Sequence, residues 1–131
     1  MIVGTGIDLV QVQRIEAILR RRGWRWAERV FSPEELAAAG TGPHRARRLA
    51  ARWAAKEAFA KALGTGLRGF RWRDIRVRQD GSGRPWLEAG GRAAELARAA
   101  GVRRIHLSLS HDGQWAVAQV ILEGDPEEGR P

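Results

Sequence analysis

Cysteine is absent from the 131 residues, which excludes disulfides, thiolate catalysis and cysteine-based zinc sites. No apolar run approaches the roughly 20 residues that cross a bilayer, so the sequence predicts no membrane span. The opening residues MIVGTGIDLV show neither a charged first segment nor a cleavage-site pattern, and we predict no signal peptide. A hydrophobic content of 44% is typical of one globular domain, and a reducing cytoplasm is the expected compartment.

Lysine is scarce, because 21 of the 23 basic residues are arginine and the only lysines are Lys56 and Lys61. The formal net charge of +8 is uneven, since residues 123–131 contain four acidic residues and one arginine. We interpret residues 1–122 as a single folded domain and residues 123–131 as an acidic, disordered tail. A body this basic is expected to attract nucleic acid, an acidic protein or a phosphorylated small molecule.

The apolar periodicity predicts an α+β domain in which helices pack on an antiparallel sheet. Strands are expected at 1–10, 74–78, 85–88, 104–110 and 115–122. Helices are expected at 11–22, 24–31, 33–39, 44–63 and 89–100, with a tight turn at 111–113. The longest helix has alanines on one face, which would let it lie close to the sheet; they are Ala51, Ala54, Ala55, Ala58 and Ala62.

Glu57 and Lys61 lie one turn apart on that helix. The spacing is typical of a solvated ion pair worth about 0.3–0.5 kcal/mol. The functional interpretation pairs Glu57 with Asp8, near the end of the first strand, around Mg²⁺, which commonly binds one or two carboxylates together with water and phosphate oxygens. Lys61 would then neutralise phosphate charge. For Asp8, a helix N-cap is the competing interpretation.

The run from Ser108 to Asp112 contains hydroxyl, imidazole and carboxylate groups. Neighbouring residues at a strand end point in different directions, which argues against a Ser-His-Asp triad. His111 is either a turn residue or a group that acts as a base or binds a ligand.

Two arginine clusters have both a structural and a functional interpretation. The first is either a solvated helix face or a docking patch for an acidic partner, and comprises Arg14, Arg20, Arg21, Arg22 and Arg25. The second opens the longest helix, where a bound phosphate would offset the unfavourable helix dipole, and comprises His44, Arg45, Arg47 and Arg48.

Five segments then occur in a recognisable order: GTGIDLVQVQRI (4–15), RVFSPEEL (29–36), RRLAARWAAKEAFAKALGTG (47–66), GRPWLE (83–88) and SLSHD (108–112). In this order they resemble the holo-acyl-carrier-protein synthases, the small bacterial 4′-phosphopantetheinyl transferases, up to about Leu122. The resemblance implies transfer of 4′-phosphopantetheine from coenzyme A to a serine of apo acyl carrier protein, with release of adenosine 3′,5′-bisphosphate. It places the protein in cytoplasmic fatty acid and lipid biosynthesis.

The resemblance also implies roles for individual residues. Mg²⁺ would be bound by Asp8 and Glu57. Catalytic roles are implied for Glu57, Lys61, His111 and Asp112, and His111, Asp112 and Glu57 remain open as the general base. Coenzyme A contacts are implied for Arg45, Lys61, Gly64, Pro85 and His111. Docking of the acidic carrier is implied for Arg14, Arg21 and Arg22, and the family implies a homotrimer with active sites between subunits.

The alternative function is a basic nucleic-acid-binding module, because the chain has the charge and six tryptophans that could stack on bases. No recognised nucleic-acid motif is present, and the arginines are spread over many predicted elements. We therefore expect neither nucleic acid nor a membrane as partner. A catalytically inactive scaffold is a further alternative, which the presence of Asp8, Glu57 and Lys61 argues against.

Overall fold

The computed structural model describes residues 1–64 and 69–126. Its strands are β1 (Ile2–Gln11), β2 (Ile75–Gln79), β3 (Pro85–Ala89), β4 (Arg104–Asp112) and β5 (Trp115–Glu123). Its helices are α1 (Val12–Val30), α2 (Pro33–Ala39), α3 (Arg45–Leu63) and α4 (Gly91–Ala99), with a 3₁₀ turn at Trp72–Asp74. The α+β prediction is confirmed, and none of these helices is long and apolar enough to cross a membrane.

The strands form two antiparallel sheets instead of one. The larger has the order β1-β5-β4, and the smaller is the β2–β3 hairpin. In the larger sheet, Asp8 of β1 lies opposite Ala118 of β5, and Ala118 lies opposite Leu109 of β4. One face of this sheet packs against α3, as the alternation of buried and exposed residues along β1 and β5 indicates.

Small residues on both sides make the contact between β1 and α3 unusually close. A Cβ atom added to Gly4 would lie 2.0 Å from the carbonyl oxygen of Ala62, and one added to Gly6 would lie 2.0 Å from that of Ala58. Both alanines are buried in the predicted alanine face. The two backbones therefore touch at positions that admit only glycine on the strand.

The helix starts and stops follow their sequence signals. Gly23, at φ 72°, breaks the helical geometry inside α1 where an interruption is predicted. Ser32 and Glu35 form the predicted capping box, in which the Ser32 hydroxyl accepts from the Glu35 N–H and Glu35 accepts from the Ser32 N–H. Gly64 ends α3 in the left-handed conformation.

Several predicted boundaries are wrong. The fourth helix begins at Gly91, because Ala89 is still paired with Ile75 in the hairpin. The expected turn at 111–113 is also misplaced, since β4 runs to Asp112 and the turn consists of residues 113 and 114. Ladder pairing with β5 extends β4 to that point.

The last strand also extends one residue beyond its predicted end at residue 122. β5 includes Glu123, which forms an ion pair with Arg104, and Arg104 also pairs with Asp125. The ordered part of the chain therefore continues past residue 122. Residues 127–131 lie outside the described residues, so the predicted disorder of the remaining tail stays a prediction, as does anything concerning residues 65–68 of the GTG segment.

Candidate active site

Asp8 is the centre of the candidate site. It points from β1 toward α3 and is buried, although both neighbours on the strand are exposed. Its Oδ1 atom pairs with the Nζ atom of Lys61 at 2.8 Å, and Lys61 also donates to the carbonyl oxygen of Ile7 at 3.1 Å. Its Oδ2 atom is buried and has no hydrogen-bond partner in the described chain. A buried carboxylate oxygen without a partner is costly unless a ligand satisfies it.

Glu57 supplies the second carboxylate. Burial raises the pKa of Glu57, and the nearby carboxylate of Asp8 raises it further, while Arg14, Trp53 and Lys61 act in the opposite direction. Two carboxylates this close together form a site whose negative charge favours a cation. The predicted juxtaposition of Asp8 and Glu57, 49 residues apart in sequence, is therefore present in the fold.

The donor set fits a hard divalent cation. Mg²⁺ prefers oxygen ligands and is commonly bound by one or two carboxylates plus waters and phosphate oxygens. Asp8 and Glu57 offer such oxygens, and Oδ2 of Asp8 has no other partner among the residues that the structure describes. Within residues 1–64 and 69–126, no third acidic, histidine or cysteine side chain joins them. The remaining ligands would have to come from water or from a bound substrate.

Lys61 belongs to this site and is not a partner of Glu57. Its ion pair joins it to Asp8, so the interpretation of Glu57 and Lys61 as a solvated pair along the helix does not describe the structure. The N-cap interpretation of Asp8 is also wrong, because Gln11 is the cap residue of α1. The side chain of Lys61 is 54% exposed, which leaves its ammonium group accessible to an anionic ligand.

The side chains of His111 and Asp112 lie on opposite faces of β4, the strand that contains both residues. Consecutive strand residues face opposite sides, so His111 lies on the α3 side of β4 and Asp112 on the outer side. A Ser-His-Asp triad from this run is excluded for the same reason. In one chain, His111 is two strands away from β1, a lateral distance of about 10 Å. It lines a cleft of about 210 Å³ whose other lining residues include Arg47, Arg48 and Arg52.

The residues expected to contact coenzyme A do not converge within one chain. Arg45 and Lys61 lie at opposite ends of α3, sixteen residues apart and therefore separated by about 24 Å. The guanidinium of Arg45 stacks on the ring of Trp24 at 5.2 Å. Gly64 follows the last turn of α3, next to the Lys61 end, and Pro85 begins β3 in the other sheet.

The predicted docking arginines are exposed along α1. Arg21 and Arg22 lie just before the break at Gly23, and Arg14 lies in the first turn, close enough to Glu57 to lower its pKa. Positive charge therefore extends from the candidate site along the helix that follows β1.

Two features of the fold around the site were not predicted from sequence. The first is the pair of strand glycines, Gly4 and Gly6, which complement the alanine face. The second is a fully buried ion pair between Glu35 and Lys56, with Nζ and Oε1 2.8 Å apart. Glu35 was predicted only as part of a capping box. The rarity of lysine in this sequence was the available signal for Lys56.

The tryptophans give no support to the nucleic-acid alternative. Trp26 and Trp53 are buried and pack together with a ring-centroid distance of 5.3 Å. The exposed ones, Trp24, Trp86 and Trp115, lie on three different elements. Across residues 1–64 and 69–126, no row of aromatic rings is available for successive bases to stack on.

The fold and the site together define a small α+β protein that brings two carboxylates and a lysine together in a basic body, an arrangement suited to a cation and a phosphorylated ligand. The sequence matches the 4′-phosphopantetheinyl transferase superfamily over residues 4–120. The chain belongs to that superfamily.

Individual relatives place the chain more narrowly. It is 52% identical over 127 residues to the holo-[acyl-carrier-protein] synthase of Anaeromyxobacter dehalogenans, covering 95% of this chain and 98% of the relative. The crystal structure of the synthase from Neisseria meningitidis superimposes with a TM-score of 0.86 at 37% identity, covering 94% and 99% of the two chains. The crystal structure of the synthase from Bacillus anthracis, in complex with coenzyme A (3′,5′-ADP), superimposes with a TM-score of 0.78 at 38% identity. It covers 95% of this chain and 99% of that one.

Proposed function

We propose that the protein is a holo-[acyl-carrier-protein] synthase, which transfers 4′-phosphopantetheine from coenzyme A to a serine of apo acyl carrier protein. The observation that carries the proposal is the buried, unpartnered Oδ2 of Asp8 beside Glu57 and Lys61, in a chain with full-length similarity to such synthases. A structure of a similar synthase is described as a complex with coenzyme A, which supports coenzyme A as the substrate.

The chemistry requires charge neutralisation and alignment of the reacting groups more than covalent catalysis. The serine oxygen forms a bond to the β-phosphorus, the pyrophosphate P–O bond breaks, and adenosine 3′,5′-bisphosphate leaves as the serine proton passes to a base. We assign Mg²⁺ to Asp8 and Glu57, where it would neutralise pyrophosphate charge. Lys61 adds a second, accessible positive charge.

Among the three candidate bases, Glu57 is the only one that lies beside Asp8 and Lys61 in the same chain. His111 and Asp112 would reach that site from another subunit, because within one chain β5 lies between their strand, β4, and β1. They also face opposite sides of β4, so one subunit would present one of them at a time.

We further propose a homotrimer with active sites between subunits. One face of the β1-β5-β4 sheet is covered by α3, whereas the other exposes apolar side chains, with Ile7 61% and Leu9 57% exposed. Exposed apolar residues on a sheet face support an interface between subunits. A second subunit would also explain how Arg45 and His111 could serve a ligand bound at Lys61, from which one chain holds them apart.

The acidic carrier is proposed to dock on α1 through Arg14, Arg21 and Arg22. All three are exposed, and Arg14 is near the candidate site, so a carrier bound along α1 would have its serine directed toward Glu57. Such docking depends on opposite charges, and binding should weaken as salt rises. The reaction would take place in the cytoplasm.

The test is incubation with coenzyme A, Mg²⁺ and apo acyl carrier protein, read by intact-protein mass. The carrier should gain the mass of one phosphopantetheine. Asp8→Ala and Glu57→Ala should abolish the gain while the circular dichroism spectrum persists, and the exposed acid Glu95→Ala on α4 serves as the matched control. A wild-type protein that leaves the carrier mass unchanged would refute the proposed function.

A further inference from the structure

Glu35 and Lys56 form an ion pair that solvent does not reach, since both side chains are 0% exposed. Buried charges are rare in proteins and are tolerated only when all their hydrogen-bonding capacity is used. Neither residue touches the candidate site, and the proposed function gives neither a role.

The hydrogen bonds around this pair are complete. The Lys56 ammonium group donates to Glu35 Oε1 at 2.8 Å, to the carbonyl oxygen of Trp72 at 3.2 Å and to that of Ile75. The Glu35 carboxylate also accepts from the N–H of Ser32 at 2.9 Å and from the N–H of Val77 at 3.1 Å. Three ammonium protons and both carboxylate oxygens are therefore satisfied.

These bonds hold α3 against two other parts of the chain. Glu35 belongs to α2, and the carbonyl groups that receive Lys56 belong to the 3₁₀ turn and the start of β2. Because the partners are backbone groups and a capped carboxylate, they fix both the position and the rotation of α3 at Lys56. The smooth alanine contact on the opposite side of α3 provides little such rotational constraint.

The constraint bears on the site because Glu57 follows Lys56 directly. Consecutive residues of a helix point about 100° apart, so fixing Lys56 fixes the direction of Glu57. An apolar pair of similar volume would avoid the cost of burying two charges, but it would leave the carbonyl groups of Trp72 and Ile75 and the N–H of Val77 without partners. The ion pair therefore ties α3 to specific backbone groups, which a purely apolar contact would not do.

We propose that the buried Glu35–Lys56 pair is a positioning pair for the transfer reaction, which sets the rotation of α3 that presents Glu57 to Asp8. The inference rests on the proposed function for its catalytic consequence. The geometry of the two carboxylates does not depend on that function, and a measurement of metal affinity tests it directly.

The test replaces the pair by neutral side chains of similar size in the double variant Glu35→Gln/Lys56→Met. Gln retains an oxygen for the capping box. Mn²⁺ binding in the presence of saturating coenzyme A is measured by electron paramagnetic resonance, and kcat and the KM for the carrier are measured by mass. We expect a Mn²⁺ dissociation constant and a kcat each impaired at least ten-fold, with the carrier KM unchanged.

A loss of stability by itself is controlled with Val102→Ala. Val102 is buried in the loop before β4, at the end of the sheet that is farther from Asp8. Its truncation should lower the melting temperature without changing Mn²⁺ binding. If the double variant does not fold, Glu35→Gln alone decides, and a three-fold weaker Mn²⁺ affinity is expected.

The positioning role would be overturned if the folded double variant kept a Mn²⁺ dissociation constant and a kcat within two-fold of wild type. If only Glu35→Gln folds, the same result for that variant would overturn it. A wild-type protein that binds Mn²⁺ but transfers nothing would instead refute the proposed function, and the Mn²⁺ comparison would still decide the effect of the pair on the carboxylates.

Discussion

Gly6→Ala tests the link between packing and the site most directly. The added Cβ would lie 2.0 Å from the carbonyl oxygen of Ala58 and 2.8 Å from the backbone nitrogen of Ala62, whereas ordinary contacts begin at 3.4 Å. Strand and helix would have to separate by about 1.4 Å at this point. Both obstructing atoms belong to the backbone of a regular helix, so no side-chain rotation can relieve the clash.

Overpacking of this kind costs typically 1–3 kcal/mol, and the rigid obstacle favours the upper end, about 3 kcal/mol. For a chain of this length that corresponds to a melting temperature lower by roughly 10 °C. Asp8 lies two residues further along β1, and its displacement relative to Glu57 should impair the reaction more than the fold. Because a misplacement near 1 Å can cost about 100-fold in rate, we expect a kcat lower by that factor.

The assays are urea unfolding followed by tryptophan fluorescence, and carrier modification followed by mass at a temperature where the variant stays folded. Gly81→Ala is the matched control, because a Cβ there meets no atom within 4 Å and the backbone is not in the left-handed region. It should change stability by less than about 0.5 kcal/mol. A Gly6→Ala protein with the stability and kcat of the control would refute the close approach of β1 and α3.

Three further perturbations probe charge and assembly. The pKa of Glu57 is raised above 4.5 in the folded state, so Glu57 lowers the free energy of unfolding as pH rises through that pKa. Glu57→Gln should therefore unfold at a higher temperature than wild type at pH 8 in EDTA. This difference in melting temperature should vanish below pH 4.5. Ile7→Lys should convert a trimer to monomers, as measured by light scattering, and abolish transfer. A variant that stays trimeric would show that the exposed sheet face is not the interface. Arg21→Glu/Arg22→Glu should raise the carrier KM at least ten-fold at low salt with kcat unchanged, whereas Arg98→Glu on α4 should leave both constants unaltered.

Much of the fold follows from local sequence signals. The capping box at Ser32, the glycine at the end of α3 and the alternation along β4 each determine nearby backbone geometry and were predicted correctly. The extension of β4 to Asp112 was missed, because its residues gain their extended conformation from pairing with β5, which is not encoded locally. For the same reason, Ala89 was assigned to the wrong element.

The site was predictable only in part. Asp8, Glu57 and Lys61 were expected to act together, and the structure brings them together. The ion pair between Lys61 and Asp8 was not expected. Spacing on one helix could not predict this, since the partner lies on a distant strand. Glu35 and Lys56 were missed because their pairing, too, depends on tertiary contacts across 21 residues.

The direction of each α3 side chain follows from the two contacts that confine the helix. At about 100° per residue, Lys56 faces α2 and the start of β2, while Ala58 and Ala62 face β1 on the far side. Glu57 and Lys61 lie at angles between these two contacts. On this side of α3 the helix is less covered, and the side chain of Lys61 is 54% exposed. The buried ion pair resists rotation and the glycine contact sets the distance to Asp8. Loss of the first should therefore weaken metal binding with little change in packing, whereas loss of the second should impair stability and catalysis together.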